Sequence, residues 1–148
     1  MSDTNTEFPR GVEVSAVAII KNTEGKILLC TSKKDSNKWV LPGGHIEPGE
    51  KILDAAVREA KEETNLDTTA VAIVDFGEII NPPHFHRTCH FIYFDCLLLA
   101  KTEDASMQEE ELTDSRWVTP EEALSMDLAT GYEKDIQGYI RYLSAQPE

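Results

Sequence analysis

Two segments of the chain are apolar at both odd and even positions, and they constrain the fold more than any other feature. They are VSAVAII, from Val14 to Ile20, and TCHFIYFDCLLLAK, from Thr88 to Lys101. Successive side chains of a β-strand point to opposite faces of the sheet, so a strand that is apolar in both registers is buried on both faces. The sequence therefore predicts a sheet that is covered on both sides.

Shorter apolar runs predict the remaining strands at Lys26 to Thr31, Val71 to Ile80 and Ser115 to Val118. The turn from Asn22 to Gly25 supplies a glycine for a positive φ and predicts that the first two strands form a hairpin. The segment from Trp39 to Gly44 is expected to be a short extended piece that its two glycines end.

Three segments carry helical signals. Glu50 to Thr64 contains neither glycine nor proline, and its apolar stripe has spacings of three and four at Leu53, Val57, Ala60 and Thr64. Thr119 is the capping residue of a short helix, with Pro120 at the first helical position and Glu122 at the third. An apolar stripe between Tyr132 and Leu143 predicts a final amphipathic helix.

The composition is that of one acidic domain. With 148 residues, of which 41% are hydrophobic, we expect one core over residues 11–148 behind a flexible N-terminus of residues 1–10. The formal net charge of −13 opposes binding to nucleic acid or to an anionic membrane. Three cysteines without a close pair predict no disulfide framework, and no apolar run reaches the roughly 20 residues of a membrane span. We therefore expect a soluble cytoplasmic protein.

The helix from Glu50 to Thr64 also has an acidic face. At about 100° per residue, three carboxylates share one side of it, namely Glu59, Glu62 and Glu63. Ala55 and Ala56 are expected to project toward that side and to leave room for a metal and a phosphate. Arg58 lies four residues before Glu62 and can pair with it, so that the other carboxylates stay available.

A cluster of carboxylates near a helix C-terminus is unfavourable without a positive partner. Like charges one turn apart cost roughly 0.2–0.5 kcal/mol per pair, and the helix macrodipole disfavours anions at that end. A solvated acidic helix is the alternative interpretation. Mg²⁺ binds through a few carboxylates together with substrate phosphate oxygens, so the cluster predicts a metal platform.

The segment from Gly44 to Leu66 resembles the signature of the Nudix family. That signature is Gly, five residues, Glu, seven residues and then Arg-Glu-apolar-x-Glu-Glu-x-Gly-apolar. Here Gly44, Glu50 and the run REAKEETNL at residues 58–66 occupy these positions. The one departure is Asn65 in place of Gly, and Asn is the next most tolerant residue for a left-handed helix end. The resemblance implies an α/β Nudix fold, an α/β/α sandwich with a mixed sheet.

The resemblance also implies roles for the acidic residues. Glu59 and Glu63 would bind Mg²⁺, for which Mn²⁺ could substitute, and Glu62 would be a metal ligand or the general base. The backbone carbonyl of Gly44 would complete the metal shell. Glu50 would brace the loop before the helix and the neighbouring Arg58.

A further glutamate of the family precedes the late tryptophan strand. Glu111 has the best spacing before Trp117, although a solvated acidic loop at Glu109 to Glu111 is the alternative. Trp39 and Trp117 are expected in the core or in a groove wall rather than as stacking platforms for a base. We expect no zinc site, because the spacing of the histidines with Cys89 matches no standard tetrahedral site. We expect this segment either to line a substrate groove or to form an exposed loop, and its three candidate residues are His84, His86 and Arg87.

The activity implied by the resemblance is Mg²⁺-dependent hydrolysis of a phosphoanhydride bond in a nucleoside diphosphate derivative. Pro82 follows Leu66 by sixteen residues, as in the subgroup that hydrolyses ADP-ribose, which favours ADP-ribose or a nucleotide sugar over nucleoside triphosphates. A nucleotide-binding module without catalysis and an isoprenoid diphosphate isomerase are further alternatives, and the intact signature counts against both. We expect a small-molecule nucleotide substrate and a monomer or homodimer.

Overall fold

The computed structural model describes residues 7–83, 85–108 and 112–147. Within these ranges the strands are β1 (Val12–Lys21), β2 (Ile27–Ser32), β3 (Lys38–Val40), β4 (Gly43–His45), β5 (Thr68–Ile80), β6 (His90–Ala100) and β7 (Leu112–Val118). The helices are α1 (Ile52–Thr64), α2 (Pro120–Leu124) and α3 (Tyr132–Ala145), and a 3-10 turn, Lys33–Asp35, follows β2. Every strand and helix predicted from the sequence is present, with ends that differ by a few residues.

The strands form one mixed sheet with β1 at its centre. The main order is β3-β2-β1-β6-β5, with β4 paired to β1 and β7 paired to β2. β1 and β6 are parallel along their length, from Val12 opposite His90 to Lys21 opposite Leu99. The other strand pairs are antiparallel. The two segments that are apolar in both registers are therefore neighbours in the middle of the sheet.

The predicted hairpin of β1 and β2 is present but short, and one other predicted detail of the sheet is wrong. β1 and β2 pair antiparallel at Lys21 and Ile27, and β2 pairs with β7 from Ile27 to Ser32. The two glycines do not end the extended piece, since Gly43 and Gly44 lie inside β4 and pair with Val17 and Ala16. The turn between β1 and β2 does use Gly25 at a φ of +79°.

Helices cover both faces of the sheet. α1 packs on one face against a core that includes Ala16 and Ala18 of β1, while α3 packs on the other face through Ile136 and Tyr139 against Ile19. This arrangement is the predicted α/β/α sandwich. Among the described residues, no helix has the length and apolar character that crossing a membrane would require.

The face of α1 that meets the sheet differs from the prediction. Ala55 and Ala56 are both fully buried in the core, so they leave no room for a metal or a phosphate. Leu53 and Val57 are only partly buried at the border of this core. Small residues allow a helix to lie close to a sheet. Ala55 and Ala56 therefore face the sheet rather than the acidic side of α1.

The two helix ends predicted from local sequence are formed as expected. Asn65 has a φ of +63° at the end of α1, and its N–H donates to the carbonyl of Lys61 at 3.0 Å. At the start of α2, the hydroxyl of Thr119 accepts from the N–H of Glu122, and the Glu122 carboxylate accepts from the N–H of Thr119. This reciprocal pair is a capping box with Pro120 at the first helical position.

Candidate active site

Arg58 is the centre of the acidic segment. Its Nε and Nη2 donate to the two oxygens of Glu50 at 2.7 and 3.0 Å, and its Nη1 donates to Glu59 at 2.8 Å and to Glu62 at 3.2 Å. Nη2 also donates to the backbone carbonyl of His45 at 3.0 Å. One guanidinium group thus joins the helix α1, the loop before it and the strand β4.

Glu50 is held as a carboxylate by this arrangement. The hydrogen bonds from Arg58, followed by the one from the backbone N–H of Glu47, lower the pKa of Glu50 to about 2. The same contact with Glu50 raises the pKa of Arg58. The N–H of Glu50 donates in turn to the carbonyl of Glu47 at 2.9 Å. Glu50 therefore joins the loop to Arg58, which is the contact that the family resemblance implies.

Two carboxylates of α1 lie against the glycines of β4. A Cβ atom on Gly44 would lie 2.5 Å from Oε1 of Glu59, so a larger residue here would require the Glu59 carboxylate to move. Oε1 of Glu63 accepts a hydrogen bond from the N–H of Gly43 at 2.9 Å. The side chain of Glu59 is 12% exposed and that of Glu62 is 50% exposed. β4 and α1 thus bring Gly44, Glu59 and Glu63 together.

The expectation that the other carboxylates stay available beside an Arg58–Glu62 pair is wrong, because Arg58 also binds Glu59. Nor do the three glutamates converge on one point: among the described residues, no three Asp, Glu, His or Cys side chains are arranged to hold a metal ion. The reason is that Arg58 draws Glu59 and Glu62 toward itself, whereas Glu63 points to Gly43. Glu109 to Glu111 lie outside the described residues.

A second charged network lies beside the loop, and sequence reasoning missed its central residue. Glu13 of β1 is 8% exposed, and its carboxylate accepts from the two Nη atoms of Arg87 at 2.7 and 2.9 Å. It also lies 3.0 Å from Nε2 of His45. The hydrogen bond from Arg87 lowers the pKa of Glu13, against the effect of burial. Glu13 and Arg87 are far apart in sequence, so local patterns gave no signal for this contact.

The residues expected in a groove have different surroundings. The guanidinium of Arg87 lies close to the rings of both Phe85 and Phe91, with its carbon at 5.4 and 5.6 Å from their centroids. His86 is exposed beside Phe85, and His84 lies outside the described residues. Arg87 is thus engaged by Glu13 and two aromatic rings.

The tryptophans are part of the framework. Trp39 packs at the border of the α3-side core, and the guanidinium of Arg116 lies 5.3 Å from its ring centroid. Nε1 of Trp117 donates to the carbonyl of Glu103 at 3.2 Å. Both observations agree with a core or groove-wall position.

The structure has two concave regions, of which only the smaller is lined by residues of the site. This small cavity of about 40 Å³ lies beside Glu63 and Gly43, and Tyr132 of α3 also lines it. A larger cleft of about 320 Å³ lies between the connection of β5 to β6 and the start of α3. The residues that line this larger cleft include Ile79, Pro82, Pro83, Tyr93, Gly131 and Lys134.

Comparison with known proteins identifies the family. A family model described as the NUDIX domain matches residues 11–140. The chain belongs to the Nudix family. The prediction from the Gly44 to Leu66 segment is therefore confirmed.

Several curated Nudix relatives resemble this chain. Nudix hydrolase 5 of Arabidopsis thaliana is 35% identical over 109 residues, which are 71% of this chain and 35% of the relative. The m7GpppN-mRNA hydrolase NUDT17 of Xenopus laevis is 34% identical over 74% of this chain and 40% of its own length. Nucleoside triphosphatase NudI of Escherichia coli is 31% identical over 80% of this chain and 90% of its own length. The chain thus spans well under half of the first two relatives.

Solved structures agree with the fold. The MutT protein of Methanosarcina mazei has a TM-score of 0.72 at 21% identity, over 97% of this chain and 100% of that one. The Nudix domain of Shewanella oneidensis NrtR, solved with ADP-ribose, has a TM-score of 0.72 at 18% identity, over 90% of each chain. These similarities confirm the predicted α/β Nudix sandwich.

Proposed function

We propose that the chain is a Nudix pyrophosphohydrolase that cleaves a phosphoanhydride bond in a nucleotide derivative with Mg²⁺. The observation that carries the proposal is the placement of Glu59 and Glu63 against the glycines of β4, with the more exposed Glu62 beside them. This placement joins the helix and the loop of the family signature in one site. A solvated acidic helix would require no such fit between Glu59 and Gly44.

The donor groups fit a hard divalent cation. Carboxylate and carbonyl oxygens are the ligands that Mg²⁺ prefers, and Mn²⁺ accepts the same set. Glu59 and Glu63, with Glu62 and the carbonyl of Gly44, would hold the metal, which requires these carboxylates to turn from their contacts with Arg58 and Gly43. A bound divalent ion neutralises charge on a diphosphate and lowers the pKa of a bound water.

The protein groups around that set have separate tasks. Glu50 and Arg58 keep the loop and the helix in register through their two hydrogen bonds. Glu62, the most exposed of the three acids of the Arg-Glu-Ala-Lys-Glu-Glu run, is the candidate to accept a proton from water. Glu111 remains a second candidate for metal binding or for the proton.

The substrate we favour is ADP-ribose or a nucleotide sugar. Pro82 lines the larger cleft, whose volume of about 320 Å³ is within the range of small-ligand sites. The name of NudI makes a nucleoside triphosphate the main alternative. The net charge of −13 disfavours RNA as the substrate, and it is compatible with a monomer or a homodimer that acts on small nucleotides.

Product release from a panel of ADP-ribose, nucleotide sugars and nucleoside triphosphates tests the proposal. Wild type and Glu59→Gln are compared at millimolar Mg²⁺ and after chelation by EDTA. Turnover that requires both Mg²⁺ and Glu59 supports a hydrolase, and the ratio of kcat/KM values identifies the substrate class. Tight nucleotide binding without turnover would instead show a binding module.

A further inference from the structure

His45 is held from both of its ends. Its backbone carbonyl accepts from Nη2 of Arg58 at 3.0 Å, and Nε2 of its side chain lies 3.0 Å from Oε1 of Glu13. His45 is also the residue directly after Gly44 in β4. A displacement of His45 would therefore move both the support of Arg58 and the glycine that faces Glu59.

The carboxylate of Glu13, which contacts the His45 side chain, is itself held in a fixed position. Arg87 binds both of its oxygens, and the side chains of Glu13 and Arg87 are only 7% and 20% exposed. A bidentate pair between a guanidinium and a carboxylate fixes both groups in direction as well as in distance. Phe85 and Phe91 further restrict the guanidinium. Glu13 thus presents one oxygen to His45 from a position that the β5–β6 connection stabilises.

We propose that Glu13 is a positioning residue for the hydrolysis, acting through His45 on the Gly44 and Arg58 contacts. This inference rests on the proposed function, since it assigns Glu13 a task in that site. It predicts an effect on kcat, because misplaced catalytic groups slow the chemical step. It also predicts that loss of the Glu13–His45 contact loosens the loop from Ile46 to Glu50.

Two other roles for Glu13 make different predictions. If Glu13 and Arg87 bound the substrate directly, their loss would raise KM and leave kcat near its original value. If their ion pair only stabilised the fold, its loss would lower the melting temperature without slowing the folded enzyme.

The experiment compares Glu13→Gln, His45→Leu and His45→Gln. Glu13→Gln keeps the size of the side chain but weakens its hold on Arg87, and His45→Leu removes the contact while the Glu13–Arg87 pair remains. His45→Gln keeps a side-chain donor. The matched control is Glu24→Gln, which removes an exposed carboxylate whose partner is Lys26 at 3.8 Å.

We expect kcat to fall by roughly tenfold to a hundredfold in Glu13→Gln and His45→Leu, with little change in KM. His45→Gln is expected to retain most of the activity, and Glu24→Gln all of it. The double variant Glu13→Gln/His45→Leu should be no slower than the slower single variant, because both changes disrupt one contact. An increase in KM at unchanged kcat would overturn the proposal.

Amide hydrogen exchange gives a readout that is independent of activity. The N–H groups of Ile46, Glu47 and Glu50 donate to Val14, Glu50 and Glu47, respectively. We expect at least one of these three amides to exchange faster in Glu13→Gln and His45→Leu, and none in Glu24→Gln. Unchanged exchange in both variants overturns the positioning role. If wild type hydrolyses no nucleotide, the proposed function fails, while the exchange data still decide whether Glu13 holds the loop.

If Glu13→Gln does not fold, because Arg87 loses its charged partner, the variant Glu13→Gln/Arg87→Met removes both charges. The same exchange and rate measurements then apply to that variant. His45→Leu, which leaves the ion pair intact, provides the independent comparison.

Discussion

Replacing Asp95 by Asn should stabilise the protein at neutral and alkaline pH. Asp95 of β6 is fully buried and Asp135 of α3 is 5% exposed. Both oxygens of Asp95 and Oδ1 of Asp135 lack a hydrogen-bond donor among the described residues, and the two carboxyl groups lie close enough for their protonation to be linked. An ionised carboxylate in such surroundings is costly. Burial accordingly raises the pKa of Asp95 to about 6 and raises that of Asp135 well above its ordinary range.

The size of the effect follows from the shift of the Asp95 pKa. The ordinary value is 3.8 and the value in the folded protein is about 6, a difference that corresponds to on the order of 3 kcal/mol. The folded state binds the proton more tightly than the unfolded state. Below pH 3.8, Asp95 is protonated in both states and does not lower the free energy of unfolding. As the pH rises from there to about 6, ionisation of Asp95 in the unfolded state lowers the free energy of unfolding.

Asn has the shape of Asp and does not ionise in this range. The free energy of unfolding of Asp95→Asn should therefore exceed that of wild type by on the order of 3 kcal/mol at pH 8, and by less than about 1 kcal/mol at pH 4. Urea unfolding at several pH values between these limits, followed by tryptophan fluorescence, measures the difference. Asp104→Asn, at an exposed position, is the control.

The pH dependence of this difference decides the test. Burying the amide that Asp95→Asn introduces could lower the free energy of unfolding, but it would do so by the same amount at every pH. A difference between Asp95→Asn and wild type that does not grow from pH 4 to pH 8 would refute the reasoning. So would an equal growth in Asp104→Asn.

Three further predictions concern the site and the end of α1. Glu63→Gln should keep the circular dichroism spectrum but lower kcat on the order of a hundredfold, and wild-type turnover in a folded variant would exclude Glu63 from the metal shell. A hundredfold excess of Mg²⁺ over its Kd should stabilise the protein by about 2.7 kcal/mol, or roughly 5–10 °C in calorimetry; no shift at millimolar Mg²⁺ would contradict the platform. Asn65→Gly should unfold at the wild-type midpoint or slightly above it, whereas Asn65→Val should lower the free energy of unfolding by about 1–2 kcal/mol. An unchanged midpoint for the valine variant would contradict the requirement for a positive φ.

The sequence predicted the layers of the fold better than the pairing of its strands. Burial on both faces can be read from the alternation of side chains in Val14 to Ile20, and helices on both faces follow once the family is recognised. The parallel pairing of β1 with β6, by contrast, joins residues more than seventy positions apart. Local patterns do not encode such a partner, and the same reason explains the missed pairing of β4 with β1.

The candidate site was predictable where its contacts are local. Arg58 and Glu62 are one helical turn apart, so their contact follows from helix geometry. The fit of Glu59 over Gly44 depends on the angle at which α1 crosses β4, which sequence spacing does not determine. The direction of Ala55 and Ala56 depends on the same packing. Glu13 was missed because its partners, His45 and Arg87, lie in two other segments.

The counter-charge that the acidic face of α1 requires is supplied, in part, by the protein itself. Arg58 binds Glu59 and Glu62 while Glu50 holds it by two hydrogen bonds. Repulsion among the glutamates therefore does not by itself demand a metal. Glu63 accepts a hydrogen bond from the N–H of Gly43, so its position also depends on β4. Stabilisation by Mg²⁺ therefore separates a metal platform from a helix whose acids arginine alone neutralises.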